Sequence, residues 1–313
     1  VPVKLVDVGG LIPGSHEGRG IGNKFLDDIR QASVLVQVVD ASGTTDEEGN
    51  PTESFDTERE ISFLEEEIDL WFASVLEKMM GKIGGVKTND DMVKALQDQL
   101  SGLEITKGQI ERVLGKFPLS DVKKFASELR KSSKPIIIAA NKIDMKQAQQ
   151  NFEKLRESHA NTVPTSADAE IVLKKAVERN IIEYNVGDGF TILDPYKLNN
   201  AQLAVLDTIQ KEVVGKYGST GVQECLNKAV FQLLGYIAVY PVASASKLND
   251  KDGRILPDVF LVPKGTTAKE LAFKVHTSLG EKFIAGVDAR TKLRLAADNP
   301  LKNGDIIEIV SRK

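Results

Sequence analysis

Two continuous β-branched runs, "SVLVQVVDAS" at 33–42 and "KPIIIAANK" at 134–142, constrain this chain more than any other feature. A strand with one wet face alternates polar and apolar residues. A run without alternation suits a strand covered on both faces, the condition of a parallel sheet between helix layers. A shorter run, "NTVPTSA" at 161–167, and the alternating stretch Val3–Val8 read as further strands. Between 3–8 and 33–42, "NKFLDDIRQA" at 23–32 reads as a helix with Phe25, Leu26 and Ile29 on one face. Strands separated by helices, each closing in a polar loop, predict an α/β doubly wound sheet. Its site is expected at the carboxyl ends of the strands.

A long excursion separates the second and third strands. Residues 43–60 are acidic and turn-rich, which predicts a surface loop. Beyond it, Ile61, Leu64, Ile68, Trp71, Phe72, Val75 and Met79 recur at helical spacing, and Met92, Leu96 and Leu100 give a second helix. Further helical turns are expected near 107–116 and 120–130. We read 61–117 as an inserted antiparallel helical hairpin, either packed on the domain or protruding toward a partner. After helices at 200–216 and 220–234, residues 238–313 change character. Thr267 and Glu270 form a capping box ahead of Leu271, Val275 and Leu279, and Asn303-Gly304 precedes an alternating strand, Asp305–Val310. That order predicts a small β-grasp module. The expected division is 1–60 with 118–237, the insertion at 61–117, and 238–313.

Composition excludes some classes. The 313 residues carry a formal net charge of −4, which argues against nucleic-acid binding by bulk charge. No apolar run approaches the ~20 residues a membrane helix needs. The single cysteine, Cys225, excludes an internal disulfide and fits a reducing compartment, so a cytoplasmic location is expected. Its place on the apolar face of "VQECLNKAVFQLL" suits a small buried side chain.

Three short motifs carry the chemistry. "NKID" at 141–144 follows an apolar strand. Asp144 can accept hydrogen bonds from guanine's ring N–H and exocyclic amine, a pattern adenine does not offer. Asn141 can bond the base edge and hold the loop, while the stem of Lys142 covers the ring face. In "DVGG" at 7–10, Asp7 suits a magnesium ligand through water, and the Gly10 backbone N–H can approach a terminal phosphate. In "TSA" at 165–167, the backbone at Ser166 and Ala167 can reach the guanine oxygen. In order, spacing and strand context the three together resemble the guanine-nucleotide signature of the translation-factor class of P-loop GTPases.

The resemblance then becomes specific. "VKLVDVGGLIPGSHEGRGIGNKFLDDIRQASVLVQVVDA" resembles the switch II region of the Obg family and, within it, the YchF subfamily. "GSTGVQECLNKAVFQLL" and "GTTAKELAFKVHTSLGEKF" are similar to the same proteins, the latter to the helix of their TGS domain. The resemblance spans essentially the whole chain. It implies a P-loop GTPase-type sheet, a helical insertion and a C-terminal β-grasp TGS domain. GTP and Mg2+ are the implied ligands, and ribosome or ribosomal RNA the implied partner. Some members of the subfamily depart from N-K-x-D and resemble ATPases; Asn141, Lys142 and Asp144 favour GTP here.

The family's chain also has a phosphate-binding loop and switch I ahead of the strand at 3–8, so the sheet is N-terminally incomplete in the sequence given. "GKIGGVKT" at 81–88 is no substitute: Val86 stands where glycine is needed, and a helical stretch precedes it. Without a phosphate loop, weak GTP binding and no hydrolysis are expected of this stretch alone. Leu11 occupies the place of the water-positioning glutamine of Ras-like enzymes, so hydrolysis is expected to draw on a partner or on K+. His16 is the nearest titratable candidate. Relatives place a functional histidine after the next strand, and residues 39–58 contain none. His276, Arg290, Lys292 and Arg294, with Lys264, Lys269 and Lys274, are candidates for RNA contact. Two alternatives stand beside the GTPase: a non-hydrolysing RNA- or ribosome-binding adaptor, and an ATP-preferring relative.

Overall fold

The computed structural model describes residues 3–8, 28–46, 49–83, 88–250, 252–256 and 258–312. It separates into two compact units, one of Val6–Ala229 and the other of Val230–Lys313 together with Val1–Leu5.

In the first unit, β1 (Leu35–Asp40), β2 (Ile136–Asn141) and β3 (Thr162–Pro164) form a parallel sheet in that order. β2 lies between its neighbours, and its first five residues are all buried, as its unbroken apolar run requires. β1 differs from expectation. Gln37 and Val39 are buried, but Val36 and Val38 are exposed, so its second face is uncovered among the described residues. Residues 3–8 also differ: they form no strand, and Val3, Leu5 and Val6 are exposed. A strand exists through hydrogen-bonded neighbours, and an alternating pattern cannot supply them. Residues 28–31 of the expected first helix are helical, with Ile29 buried.

Four helices follow β1: α1 (Thr57–Ile83), α2 (Asn89–Leu100), α3 (Lys107–Leu114) and α4 (Val122–Ser133). Ile68, Trp71, Phe72, Leu76, Leu96, Leu100, Ile110, Phe125 and Leu129 share one core. α4 is thus packed into the same core as the helices of 61–117, and α1 starts at Thr57. The Arg130 guanidinium, buried on α4, meets Asp69 of α1 at 2.7 Å.

β2 leads to α5 (Lys146–Ser158), β3 and α6 (Ala167–Glu178). The antiparallel pair β4 (Ile182–Tyr184) and β5 (Phe190–Ile192) comes next. α7 (Asn200–Thr208) continues through a π turn, Ile209–Val214, into α8 (Gly215–Tyr217), and α9 (Val222–Asn227) closes the unit. Val39, Ile138, Phe152, Leu173, Leu206 and Val213 form a second core.

The second unit holds β6 (Tyr236–Val242), β7 (Phe260–Pro263), α10 (Ala268–Val275), α11 (Thr277–Glu281), β8 (Phe283–Asp288), β9 (Arg294–Leu295) and β10 (Ile306–Ser311). The sheet order is β7-β6-β10-β8-β9, with β10 parallel to β6 and antiparallel to β8. Ile237, Val239, Val262 and Ile307 pack on Ala268 and Leu271 of α10, a β-grasp arrangement. The expected capping box is present, with Thr267 N–H donating to Glu270 at 2.8 Å and Glu270 N–H to Thr267 at 3.3 Å. Asn303-Gly304 does not close a hairpin. It delivers the chain into central strand β10, pinned by Gly304 N–H on the Ala238 carbonyl at 2.7 Å.

Candidate functional site

The carboxyl ends of β2 and β3 lie side by side, and this brings 141–144 against 165–167. The Asn141 Oδ1 accepts from Ala167 N–H at 3.0 Å. The Ser166 hydroxyl donates to Asp144 Oδ1 at 2.9 Å. Backbone bonds reinforce the contact: Thr165 N–H donates to Ala140 O at 2.9 Å, and Ile143 N–H to Thr165 O at 3.1 Å. Ser166 also caps α6, so its side chain joins a helix start to the 141–144 loop. Both segments are therefore held before any ligand arrives.

Lys142 turns the chain with φ of +64°, a left-handed conformation unfavourable for a side-chain-bearing residue. Its ammonium lies 2.8 Å from Asp40 Oδ2, at the end of β1. Burial opposes ionisation of Asp40, but the Lys142 ammonium and the Ser42 and Thr45 donors outweigh it and hold the carboxyl well below its ordinary range. A cavity of about 290 Å³ adjoins Asp144, Ser166 and Asp168, walled by Val172 of α6 and by Val205 and Thr208 of α7.

Behind this loop lies a second buried carboxylate. Glu170 accepts from Tyr184 Oη at 2.6 Å and from the Thr220 hydroxyl. Burial resists its charge, yet the Thr220, Tyr184 and Lys174 donors leave the pKa lowered. Burial and the Glu170 carboxylate together push the Tyr184 phenol up to about 12. The Thr220 carbonyl in turn accepts from Ser166 N–H at 2.9 Å.

Of the remaining sequence candidates, Asp7 is exposed. Gly10, Leu11 and His16 lie outside the described residues. His276 is exposed and caps α11 by accepting from Ser278 N–H at 3.2 Å. Arg290, Lys292 and Arg294 are exposed, and Lys292 donates to the Ala245 carbonyl at 2.8 Å. Cys225 is buried, and burial pushes its thiol up to about 12, as an unreactive core side chain requires. Among the described residues no three His, Cys, Asp or Glu side chains gather as a metal site. Motif reading passes over Asp40, Glu170, Thr220 and Gly221. The one available signal was Asp40, a polar residue ending an apolar strand as Asn141 ends β2.

Comparisons with known proteins agree with this geometry. Residues 139–244 match the family model of the Obg-like GTPase YGR210-like, G4 motif-containing domain, and residues 251–311 match the TGS domain. An uncharacterized GTP-binding protein of Methanocaldococcus jannaschii is 50% identical over 321 residues, covering 99% of this chain and 81% of its own. An uncharacterized GTP-binding protein of Schizosaccharomyces pombe is 34% identical, covering 87% and 71%. The crystal structure of a GTP binding protein from Pyrococcus horikoshii OT3 superposes with a TM-score of 0.75 at 37% identity, over 92% of this chain and 81% of that one. The YchF GTPase of Schizosaccharomyces pombe, at 15% identity and a TM-score of 0.51 over 93% and 75%, shares the fold. The chain belongs to the Obg-like GTPase family, among members that carry a G4 motif-containing domain and a C-terminal TGS domain.

Proposed function

We propose that 141–144 and 165–167 are the base-reading half of a guanine-nucleotide site, and that the natural full-length protein binds and hydrolyses GTP. The observation that carries this is the pairing of Asn141 with Ala167 N–H and of Asp144 with the Ser166 hydroxyl. The bond from Ser166 holds the carboxylate of Asp144 through one oxygen, and the carboxylate keeps capacity to accept from a ligand's donors. Guanine presents two such donors on one edge. The relatives described as GTP-binding support the same choice over ATP.

Asp7, an exposed carboxylate, suits a magnesium ion held through water. With Leu11 in place of a water-positioning amide, turnover draws on an outside contribution, K+ or a macromolecular partner. The second unit, with Arg290, Arg294, Lys264, Lys269 and Lys274 exposed, is the surface we assign to ribosome or RNA contact in the cytoplasm.

Titration calorimetry of the natural full-length protein tests the base reading. GDP should bind at least tenfold more tightly than ADP, and Asp144→Asn should move the preference to XDP, whose oxygen replaces the amine. Equal affinity of the parent for GDP and ADP would refute it.

A further inference from the structure

We propose that Asp40 is a positioning residue of the base-reading site and acts through Lys142; this rests on the guanine reading above. Asp40 ends β1, side by side with Asn141 at the end of β2 in the parallel register. Its side chain is 9% exposed and is saturated with donors. Oδ1 accepts from the Ser42 N–H at 3.0 Å and from the Ser42 hydroxyl at 2.5 Å. Oδ2 accepts from Thr45 at 2.7 Å, Thr44 at 3.1 Å and the Lys142 ammonium at 2.8 Å.

The hydroxyl donors all come from the loop after β1, and that loop is itself held. Asn151 of α5 donates to the Ala41 carbonyl at 2.9 Å, and Phe55 N–H to Gly43 O at 2.9 Å. At Gly43, with φ of +66°, a Cβ would lie 2.8 Å from the Phe55 carbonyl oxygen, so the loop's close return depends on glycine. The carboxylate is therefore fixed by one loop and presents its charge to the lysine of another. A lysine in a half-exposed loop ordinarily keeps its ammonium in water and samples many rotamers. Here the tether sets the path of the stem across the strand ends before a ligand arrives. That stem is the apolar surface against which a flat base lies.

Preorganising a contact lowers the entropy lost on binding, and its loss accelerates dissociation. Base choice, by contrast, belongs to Asp144, which Asp40 does not touch. The proposal thus separates affinity from selectivity. An indirect destabilisation of the fold would not make that separation.

The test measures dissociation of N-methylanthraniloyl-GDP from the natural full-length protein by stopped flow, with thermal melting alongside. Asp40→Asn and Lys142→Met should each accelerate release about tenfold, the scale of one charged hydrogen bond. The double variant should be no faster than the faster single one, because both changes break one interaction. Thr45→Val, which leaves the carboxylate in place, should give a smaller acceleration, and the ratio of GDP to XDP affinity should stay at the parent value in every variant. Additive single effects, or an Asp40→Asn protein that melts earlier but releases nucleotide at the parent rate, would overturn the role of Asp40 alone. A parent that does not bind the labelled GDP would overturn the guanine reading and this inference together.

Discussion

Gly221 packs against the end of β3, where the 165–167 segment begins. Its φ is +78°, and a Cβ there would fall 1.8 Å from the Pro164 carbonyl oxygen at the end of β3. No side chain can be accommodated without moving β3 or α9, and with them the Ser166–Thr220 contact. Gly221→Ala should therefore cost roughly 2–3 kcal/mol, a combined steric and left-handed backbone penalty, read as a lower midpoint in urea. Glu170 makes a second prediction at this scale. Its folded pKa is depressed, so its contribution to stability is present above the unfolded carboxylate pKa and is lost as pH falls through the folded value. Denaturation curves at decreasing acidic pH should show that loss in the parent and a flatter dependence in Glu170→Gln. A slope unchanged by the substitution would remove Glu170 from the acid response.

Elements are fixed by caps and by the few charges they bury. Thr267 closes the start of α10 through a reciprocal capping box, and Thr267→Ala should cost about 1 kcal/mol, measured by chemical denaturation. The pairing of α1 with α4 is more exacting. Arg130 is buried, and Asp69 supplies its short contact while Glu65 stands at 3.4 Å. Removing Asp69 leaves a guanidinium short of an acceptor, so Asp69→Ala should cost on the order of 2 kcal/mol. Arg130→Met, which removes the charge with its need for partners, should cost less. If Arg130→Met proved the worse of the two, the ion pair would be a net source of stability. The helices themselves were legible because Ile61, Ile68, Trp71, Phe72 and Met79 sit at helical spacing and are all buried. β2 was legible for a comparable reason, since its unbroken apolar run lies between two neighbouring strands and is buried on both faces. Val3–Val8 and the outer face of β1 were misread because pairing and cover come from other parts of the chain, which local periodicity does not contain.

At the scale of the whole molecule, the two units have separate cores, so a cut in the chain between them should be tolerated. Ending the natural protein after Gly235, ahead of β6, should leave guanine-nucleotide affinity within about twofold, since independent sites with separate cores contribute separately. On our proposal the same truncation weakens co-sedimentation with ribosomes, and unchanged co-sedimentation would remove the β-grasp unit as the docking surface. The sequence alone determined the α/β class, the Thr267 cap, the strand that ends in Asn141 and leads to Asp144, and the β-grasp order of 238–313. These depend on contacts a few residues apart or on burial periodicity, both written locally. Only the tertiary structure joined Asp40 to Lys142, Glu170 to Thr220, and Gly221 to Pro164, pairs separated by 102, 50 and 57 positions. Each depends on where strand ends and loops meet in space, and the energy that selects such a meeting lies in the packing of the whole unit rather than in any one stretch of chain.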